Sequence, residues 1–353
     1  MGRLCPSGFL RFRQSMPGNL EMTFAGAEAN VAASICMLGG QSRFVTALPN
    51  NDISQACLSH LKGLGIDTSA IVIQDVGRFG LYFVEAGANQ RPSNVIYDRS
   101  ASTVSLTSSD RYDWKTVFAD ASWFHVSGIT PALSQTAAQA TLAAVQAAKT
   151  AGVTVSCDLN FRSKLWNWDD ALTPRQLAQK TMRQILPYVD VIIGNEEDAS
   201  DILGVTAGET DAEAGNLDIE KYPQVARKIV QQFGHVAKVA ITLRESISAS
   251  HNNWGAMLYD VKQDKACMAP MIDGKYHPYR IKNIVDRVGG GDAFSAGLIF
   301  ALNNDDLCEQ EKAISFATAS SCLAHSICGD FNYSIRTEVE SLMKGKASGR
   351  VVR

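Results

Sequence analysis

Apolar runs alternate with longer amphipathic segments along most of the chain after residue 120. The short runs are rich in β-branched and aromatic residues and predict strands at 122–128, 153–160, 190–198 and 238–243. The segments between them have helical periodicity and predict helices at 133–152, 173–189 and 222–234, the first ending at a glycine cap. Strands that alternate with helices in this way indicate βαβ units, so we expect an α/β fold with a mostly parallel sheet.

The first hundred residues follow a different pattern. The stretches "NLEMTFAG", "GRFGLYFVEAG" and "PSNVIYDR" predict strands that are not all separated by helices. We expect a small β lid built from residues 2–24 and 76–104, beside an α/β core of residues 25–75 and 105–345, in a single domain spanning 1–353. The acidic segment 206–220 predicts a solvated surface loop.

Composition narrows the classes of function. The chain has 353 residues, 46% of them hydrophobic, and a net charge of −3, which fits a globular protein with a large core. The weak net charge gives no indication of a nucleic acid or membrane-surface partner. Eight scattered cysteines without a C-x-x-C pair predict reduced thiols in a cytoplasmic protein. The start has no continuous apolar run of the kind that a signal peptide requires.

One motif carries candidate chemistry. In "DRVGGGDAFSAGLIFAL", Gly289, Gly290 and Gly291 precede Asp292 at the predicted start of a helix. The motif could be a turn with a capping aspartate. It could equally hold an anion on glycine amides at the positive end of the helix, with Asp292 as a proton acceptor. It is neither a Walker A loop nor G-x-G-x-x-G, which counts against a nicotinamide oxidoreductase.

Three segments carry a resemblance to a known family. The stretch "VGGGDAFSAGLIFAL" resembles the second signature of the PfkB (ribokinase-like) carbohydrate kinases, with Gly290 where alanine is commoner. "FAGAEANVAASICMLGG" resembles the first signature, and "NEED", residues 195–198, resembles the family's Asn-x-x-Glu motif. The resemblance implies a ribokinase-like three-layer α/β sandwich, and ATP and Mg²⁺ as cofactors.

The resemblance extends over essentially the whole chain. Within the family, "GAEANVA", "DLNFR", "HSICGDFN" and above all "RPSNVIYDR" are most similar to the 2-keto-3-deoxygluconate kinases. This similarity implies ATP-dependent phosphorylation of that sugar acid at its 6-hydroxyl. The sequence starts after the segment that would match the family's first, central strand. Either the start codon is misassigned, or the protein is a variant whose main sheet has one strand fewer and exposed ladder groups beside it.

The same resemblance assigns roles around the sugar. It makes Asp292 the general base and makes the amides of Gly289, Gly290 and Gly291 the anion hole. Because arginine matches a carboxylate bidentately, the arginines at the family's substrate positions are expected to bind the acid group. The expected substrate-binding residues are Gly26, Ala27, Glu28, Ala29, Asn30, Tyr82, Tyr97, Arg99, Arg162 and Asp292.

Roles around the nucleotide follow from the same comparison. Asn195 is expected near the phosphates and Mg²⁺, with Asp198 acting on the metal through water. Thr242, in a strand-end loop at 242–248, and Thr318, on a late helix, are expected to line the nucleotide, together with Gly289 and Gly291.

Other functions remain open at this point. A sibling kinase acting on ribose, fructose or a nucleoside would share every ATP feature, and a sugar- or nucleotide-binding protein without turnover is compatible with the absent strand. A homo-oligomer joined through the lid is expected, because an exposed small sheet tends to be covered.

Overall fold

The computed structural model describes residues 1–205 and 221–345, so the predicted acidic loop at 206–220 lies outside the described residues. The strands are β1 Gly2–Cys5, β2 Glu21–Phe24, β3 Thr46–Pro49, β4 Ile71–Gln74, β5 Leu81–Glu85, β6 Asn94–Asp98, β7 Trp123–Ser127, β8 Thr154–Asp158, β9 Val191–Gly194, β10 Lys238–Ser248, β11 His251–Asp260, β12 Lys265–Ala269, β13 Met271–Ile272, β14 Lys275–Tyr276 and β15 Tyr279–Ile281. The helices are α1 Phe12–Ser15, α2 Ala27–Met37, α3 Asp52–Gly63, α4 Thr103–Leu106, α5 Trp114–Phe118, α6 Gln135–Thr150, α7 Pro174–Ile185, α8 Glu196–Asp198, α9 Tyr222–Gln232, α10 Gly290–Leu302, α11 Gln310–Ala324 and α12 Arg336–Met343.

The main sheet is mixed and mostly parallel on one side. Its order is β12-β11-β10-β9-β8-β7, with β15 added beside β11. Strands β7 to β10 run parallel, and β10, β11 and β12 are antiparallel neighbours. Every residue of β9 is buried, as expected for a parallel strand covered on both faces. The predicted α/β fold is confirmed.

Two apolar layers enclose this sheet. On β9, Ile192 belongs to the cluster that includes residues of α6, α7 and α9, whereas Val191 and Ile193 belong to the cluster with α10 and α11. The alternation follows from the two-residue period of a strand, which sends successive side chains to opposite faces. The result is the predicted three-layer sandwich.

Local signals fix several helix ends. Ser134 caps α6 by accepting a hydrogen bond from the Ala137 amide, and Gly152 follows the helix with a φ of +75°, the left-handed conformation that favours glycine. Thr173 forms a capping box with Gln176 at the start of α7. Of the helices in residues 1–205 and 221–345, none is both long and apolar enough to cross a membrane.

A separate sheet of order β2-β1-β5-β6 stands beside the core, and its four strands fall within residues 2–24 and 76–104. Across it, Thr23, Arg3, Tyr82 and Tyr97 occupy one row of paired positions. The next row consists of Met22, Leu4, Phe83 and Ile96. Because adjacent rows point to opposite faces, this sheet has a polar face with Arg3 and the tyrosines, and an apolar face.

On one side, the main sheet ends at β7. Among the described residues β7 pairs only with β8, and β3 pairs only with β4 as a separate parallel ribbon. A groove of about 760 Å³ lies between them, lined in part by Thr46, Phe124 and Ile299. A main sheet with one strand fewer was one of the two alternatives from the sequence, and β1 belongs instead to the small sheet.

Candidate active site

The glycine motif forms the start of α10. Gly289 is the N-cap, with a φ of +82° in the left-handed region, and the helix begins at Gly290. A Cβ on Gly289 would lie 2.3 Å from the backbone oxygen of Asp330, so no larger residue fits this turn. The first amides of the helix, from Gly290 to Asp292, have no carbonyl one turn earlier, and they give this end its partial positive charge.

The three glycines differ in their burial and in the space beside each of them. Gly291 is exposed, and a Cβ there would meet no atom closer than the Asp158 carboxylate at 4.0 Å. Gly290 is buried, and a Cβ there would lie 2.9 Å from the ring of His325. His325 is held by a 2.8 Å hydrogen bond between its Nδ1 and the Ser321 carbonyl, and it packs against Trp254. This contact gives a steric reason for glycine, and not a larger residue, at position 290.

Asp292 lies directly beside Asn30 of α2. The Asn30 amide donates a 2.6 Å hydrogen bond to the Asp292 carboxylate, while the Asn30 Oδ1 atom is buried and accepts none in the described residues. Burial raises the pKa of Asp292 to about 7; the Asn30 bond opposes this, and the charges of Asp330 and Glu28 add to it. A carboxylate with this pKa can accept a proton near neutral pH.

Asp158, which the sequence reasoning quoted but did not single out, lies across from Gly291 at the end of β8. Its side chain is buried, and burial together with the charges of Asp198 and Asp292 raises its pKa far above the ordinary value. Its position at the carboxyl end of a buried parallel strand was the signal that could have identified it.

The predicted substrate segment 26–30 splits into two functions. Gly26 is the N-cap of α2, Ala27 starts the helix, and Ala29 is buried in the core. Glu28 accepts hydrogen bonds from the hydroxyls of Ser127 and Thr130, both at 2.8 Å. Glu28 thus ties α2 to the end of β7, and Asn30 alone of this segment reaches Asp292.

Two arginines lie near this carboxylate cluster. Burial lowers the pKa of Arg99, and the nearby Glu28, Tyr97 and Tyr82 oppose this. Within residues 1–205 and 221–345 no group accepts a hydrogen bond from the Arg99 guanidinium.

Arg162 is exposed and donates to the Phe161 carbonyl at 2.7 Å. The charge of Arg162 lowers the pKa values of Asp158, Asp198 and Asp292, so this arginine lies near all three carboxyl groups. Both arginines are therefore available to an anionic ligand.

The two tyrosines differ in availability. Tyr82 was expected to donate its hydroxyl to a substrate, but the hydroxyl is buried and donates to Asp330 at 2.5 Å. Tyr82 therefore stabilises the contact between the small sheet and Asp330. Tyr97, its neighbour across the β5–β6 pair, is only partly buried and lies beside Arg99 on the polar face.

Asn195 and Asp198 form one capping unit at the end of β9. The Asn195 side chain accepts from the Asp198 amide at 2.8 Å, and the Asp198 carboxylate accepts from the amides of Asn195 and Phe161. Burial raises the pKa of Asp198, whereas Arg162 and these amides lower it. The carboxyl ends of β8 and β9 are thereby held together next to Arg162.

The expected nucleotide threonines occupy unequal positions. Thr242 lies within β10, which runs unbroken to Ser248, so the segment 242–248 is strand and not the loop that we expected. Thr242 is partly exposed. Thr318 has no exposed surface, and its hydroxyl donates to the Ile314 carbonyl within α11. The packing of α11 places Thr318 in the core, and sequence spacing does not reveal this packing.

Metal ligands are sparse around the site. Across the described ranges, no cluster of three or more histidine, cysteine, aspartate or glutamate side chains has a geometry that could hold a metal ion. The Asp158 carboxyl group nevertheless lies beside Gly291 at the start of α10, and the Asp198 carboxyl group lies near Asp158. This donor set fits a cation such as Mg²⁺ that keeps most of its water and shares phosphate oxygens.

Comparison with known proteins agrees with this geometry. The chain is 39% identical to the crystal structure of 2-dehydro-3-deoxygluconokinase from Thermotoga maritima, with a TM-score of 0.86 over 98% of this chain and 97% of that one. It is 30% identical to 2-dehydro-3-deoxygalactonokinase from Haloferax volcanii, over 94% of this chain and 91% of the relative. It is 32% identical to 2-dehydro-3-deoxygluconokinase from Bacillus subtilis, over 78% and 72%.

The family assignment rests on a match to a family profile. Residues 13–329 match the sequence profile described as pfkB family carbohydrate kinase. The predicted resemblance is confirmed, and with it the kinase activity and the use of ATP. The glycine turn, the Asp292 carboxylate and this match together show that the chain belongs to the pfkB family of carbohydrate kinases.

Proposed function

We propose that this kinase transfers the γ-phosphoryl group of ATP to the 6-hydroxyl of 2-keto-3-deoxygluconate. The observation that carries the proposal is Arg99, a partly buried cation with no hydrogen-bonded acceptor in the described residues, placed beside Glu28 near Asp292. A neutral sugar has no group that would compensate such a cation, whereas a sugar acid has a carboxylate that matches it.

The residues around Asp292 suit the transfer step. Asp292 accepts the proton of the sugar hydroxyl, and Asn30 keeps the carboxylate oriented through its 2.6 Å hydrogen bond. The free amides at the start of α10, with Arg162 nearby, neutralise the charge on the transferring phosphoryl group. Tyr97 and Arg99 hold the sugar acid from the lid side.

The nucleotide side is proposed on the same basis. Asn195 and Thr242, both at the β9–β10 side of the site, contact the phosphates and nucleotide, and Gly291 presents an open amide. When bound, Mg²⁺ supplies neutralisation of the phosphate charge, and Asp198 acts on it through water. We leave Thr318 out of this set because its side chain is buried in α11.

The role of Arg99 can be tested with Arg99→Met and a matched control, Arg78→Met. Arg78 belongs to the same region but pairs with the exposed Asp98 carboxylate. ADP release measured with 2-keto-3-deoxygluconate should show a KM for the sugar acid raised by about 10-fold or more in Arg99→Met, with the KM for ATP unchanged. Arg78→Met should behave as the unmodified protein. Equal KM values for the two variants would remove the basis of the proposal.

The relative from Haloferax volcanii makes the galactonate epimer a second candidate substrate. The two acids share the carboxylate that Arg99 is proposed to bind, and they differ in the orientation of one hydroxyl. Running both epimers, with ribose and fructose alongside, in the same ADP-release assay distinguishes the candidates by kcat/KM.

We further propose a homo-oligomer assembled through the lid. The apolar row of Met22, Leu4, Phe83 and Ile96 lies on the face of the small sheet opposite Arg3 and Tyr82, and Met22 and Ile96 are 44% and 50% exposed. Such a face on a small sheet is stabilised by a second copy of the same surface.

A further inference from the structure

Arg3 is a buried cation at the junction of the small sheet and the glycine turn. It lies on β1, in the polar row between Thr23 and Tyr82, and is only 3% exposed. Its guanidinium donates to the Asp330 carboxylate at 2.9 Å and to the Asp286 carboxylate at 2.5 Å. One side chain of the small sheet therefore binds two carboxylates of the core.

Asp286 shapes the segment that leads into the glycine turn. One of its carboxylate oxygens accepts from the amides of Arg287 and Val288, at 2.8 and 3.1 Å. The other accepts from Arg3 and from the Gly329 amide. The Asp286 carboxylate thus binds the backbone amides immediately before Gly289, and Arg3 balances its charge.

Asp330 holds the turn from its other side. Its backbone oxygen occupies the space beside Gly289, 2.3 Å from where a Cβ would lie. Its carboxylate accepts from both Arg3 and the Tyr82 hydroxyl, so two residues of the polar row of the small sheet bind it. Movement of β1 or β5 would therefore act directly on the backbone that packs against the glycine turn.

The charge arrangement makes this junction depend on Arg3. Burial raises the pKa of Asp330, and Arg3 is the first of the groups that oppose this. Without the guanidinium, the Asp286 and Asp330 carboxylates would keep their bonds from Tyr82 and backbone amides but would face each other without a cation. Their repulsion would favour separation or rearrangement of the segments that carry them.

We propose that Arg3 is a positioning residue for phosphoryl transfer, joining the lid to both sides of the Gly289–Asp292 turn so that the anion-binding amides and Asp292 hold their places while the lid lies over the sugar. The proposal rests on the kinase activity and on the small sheet acting as a lid. It does not depend on which sugar acid is the substrate.

The test compares Arg3→Lys with Arg43→Lys. Arg43 also binds two carboxylates, those of Asp67 and Asp120, and neither partner belongs to the glycine turn or to the segments that bind Arg3. Lysine keeps the charge but cannot present two groups of donors in the fixed arrangement of a guanidinium. We expect kcat per folded site to fall by about 10-fold or more in Arg3→Lys, with the KM for ATP within about two-fold. We expect Arg43→Lys to keep its kcat.

Folded sites are counted by binding of ADP, so that loss of folded protein is separated from loss of turnover. A kcat within two-fold of the unmodified protein in Arg3→Lys, whatever the change in thermal stability, would show a purely structural role and overturn the proposal.

If Arg3→Lys does not fold, Tyr82→Phe removes one of the two lid bonds to Asp330 and keeps the ring. It should lower kcat in the same direction by a smaller factor, and an unchanged kcat would count against the inference. Failure of the proposed sugar-acid function would instead appear in Arg99→Met, where the KM for the sugar acid would not change.

Discussion

At the scale of single residues, function depends on how the surroundings of one carboxylate set its protonation. Asp292 is partly buried, its pKa is raised to about 7 by burial, and Asn30 donates the hydrogen bond that limits the rise. The negative charges of Asp330 and Glu28 raise the pKa of Asp292 further, and the positive charge of Arg162 lowers it. Asp292 is therefore the group whose titration we expect to control the reaction near neutral pH.

The first prediction concerns pH. The general base must be ionised, so kcat/KM for the sugar acid should rise about tenfold per pH unit up to about pH 7 and then level off. Asn30→Ala removes the donor that favours the ionised form, so its acid limb should move to higher pH. A profile that is flat between pH 5.5 and 8, or a limb that moves to lower pH in Asn30→Ala, would contradict the assignment.

The second prediction separates two neighbouring glycines. Gly290→Ala places a methyl group 2.9 Å from the His325 ring and should lower the free energy of unfolding by about 1–2 kcal/mol. Gly291→Ala meets open space, so its stability should be unchanged or slightly higher, but the methyl group would lie where the phosphoryl group binds, and kcat should fall. Denaturant unfolding and ADP release measured on both variants decide this. The reverse pattern would show that Gly291 does not face the phosphoryl group.

Sequence reasoning identified only part of this site. The glycines and Asp292 were singled out by local pattern, whereas Asn30 and Arg99 were named from the resemblance to the family, and their roles stay predictions. Arg3 and the Tyr82 hydroxyl could not be placed, because their carboxylate partner Asp330 lies 327 and 248 positions away in the chain. No local signal shows which distant acid a buried arginine or tyrosine will meet.

At the scale of secondary structure, hydrophobic period was sufficient for the parallel strands β7 to β10 and for helices α6, α7 and α9, but it did not predict β11, β12 or β15. The continuation of β10 to Ser248 was missed because its pairing with β11 supplies the ladder that the polar sequence "RESIS" does not suggest. The small sheet gained its two faces from simple alternation, with Arg3 and Tyr82 on one face and Leu4 and Phe83 on the other.

The apolar face of this sheet gives a prediction about assembly. Ile96→Glu places a charge at the β6 end of the apolar row, and it should convert the oligomer to monomer at micromolar concentration, as measured by light scattering on a sizing column. Val76→Glu changes another exposed apolar residue outside the row and should leave the assembly intact. A monomeric unmodified protein would contradict the proposed contact.

At the scale of the whole molecule, the parts of the site come from distant regions of the chain. Residues near both ends of the described chain, Arg3 and Asp330, meet beside a helix that starts at Gly290. The class of fold could be predicted because βαβ alternation leaves few arrangements. The groove between β3 and β7 was not predicted, because it depends on which strands pair in space and the hydrophobic pattern of the chain does not show this.

The most direct measurement is turnover of Asp292→Asn, by ADP release with 2-keto-3-deoxygluconate and ATP. Asparagine preserves the shape and can still accept the Asn30 hydrogen bond, but it cannot take a proton from the sugar hydroxyl. We predict that ATP still raises the melting temperature of the variant while kcat falls by about 10²-fold or more. A variant that binds ATP and turns over at the rate of the unmodified protein would contradict the account.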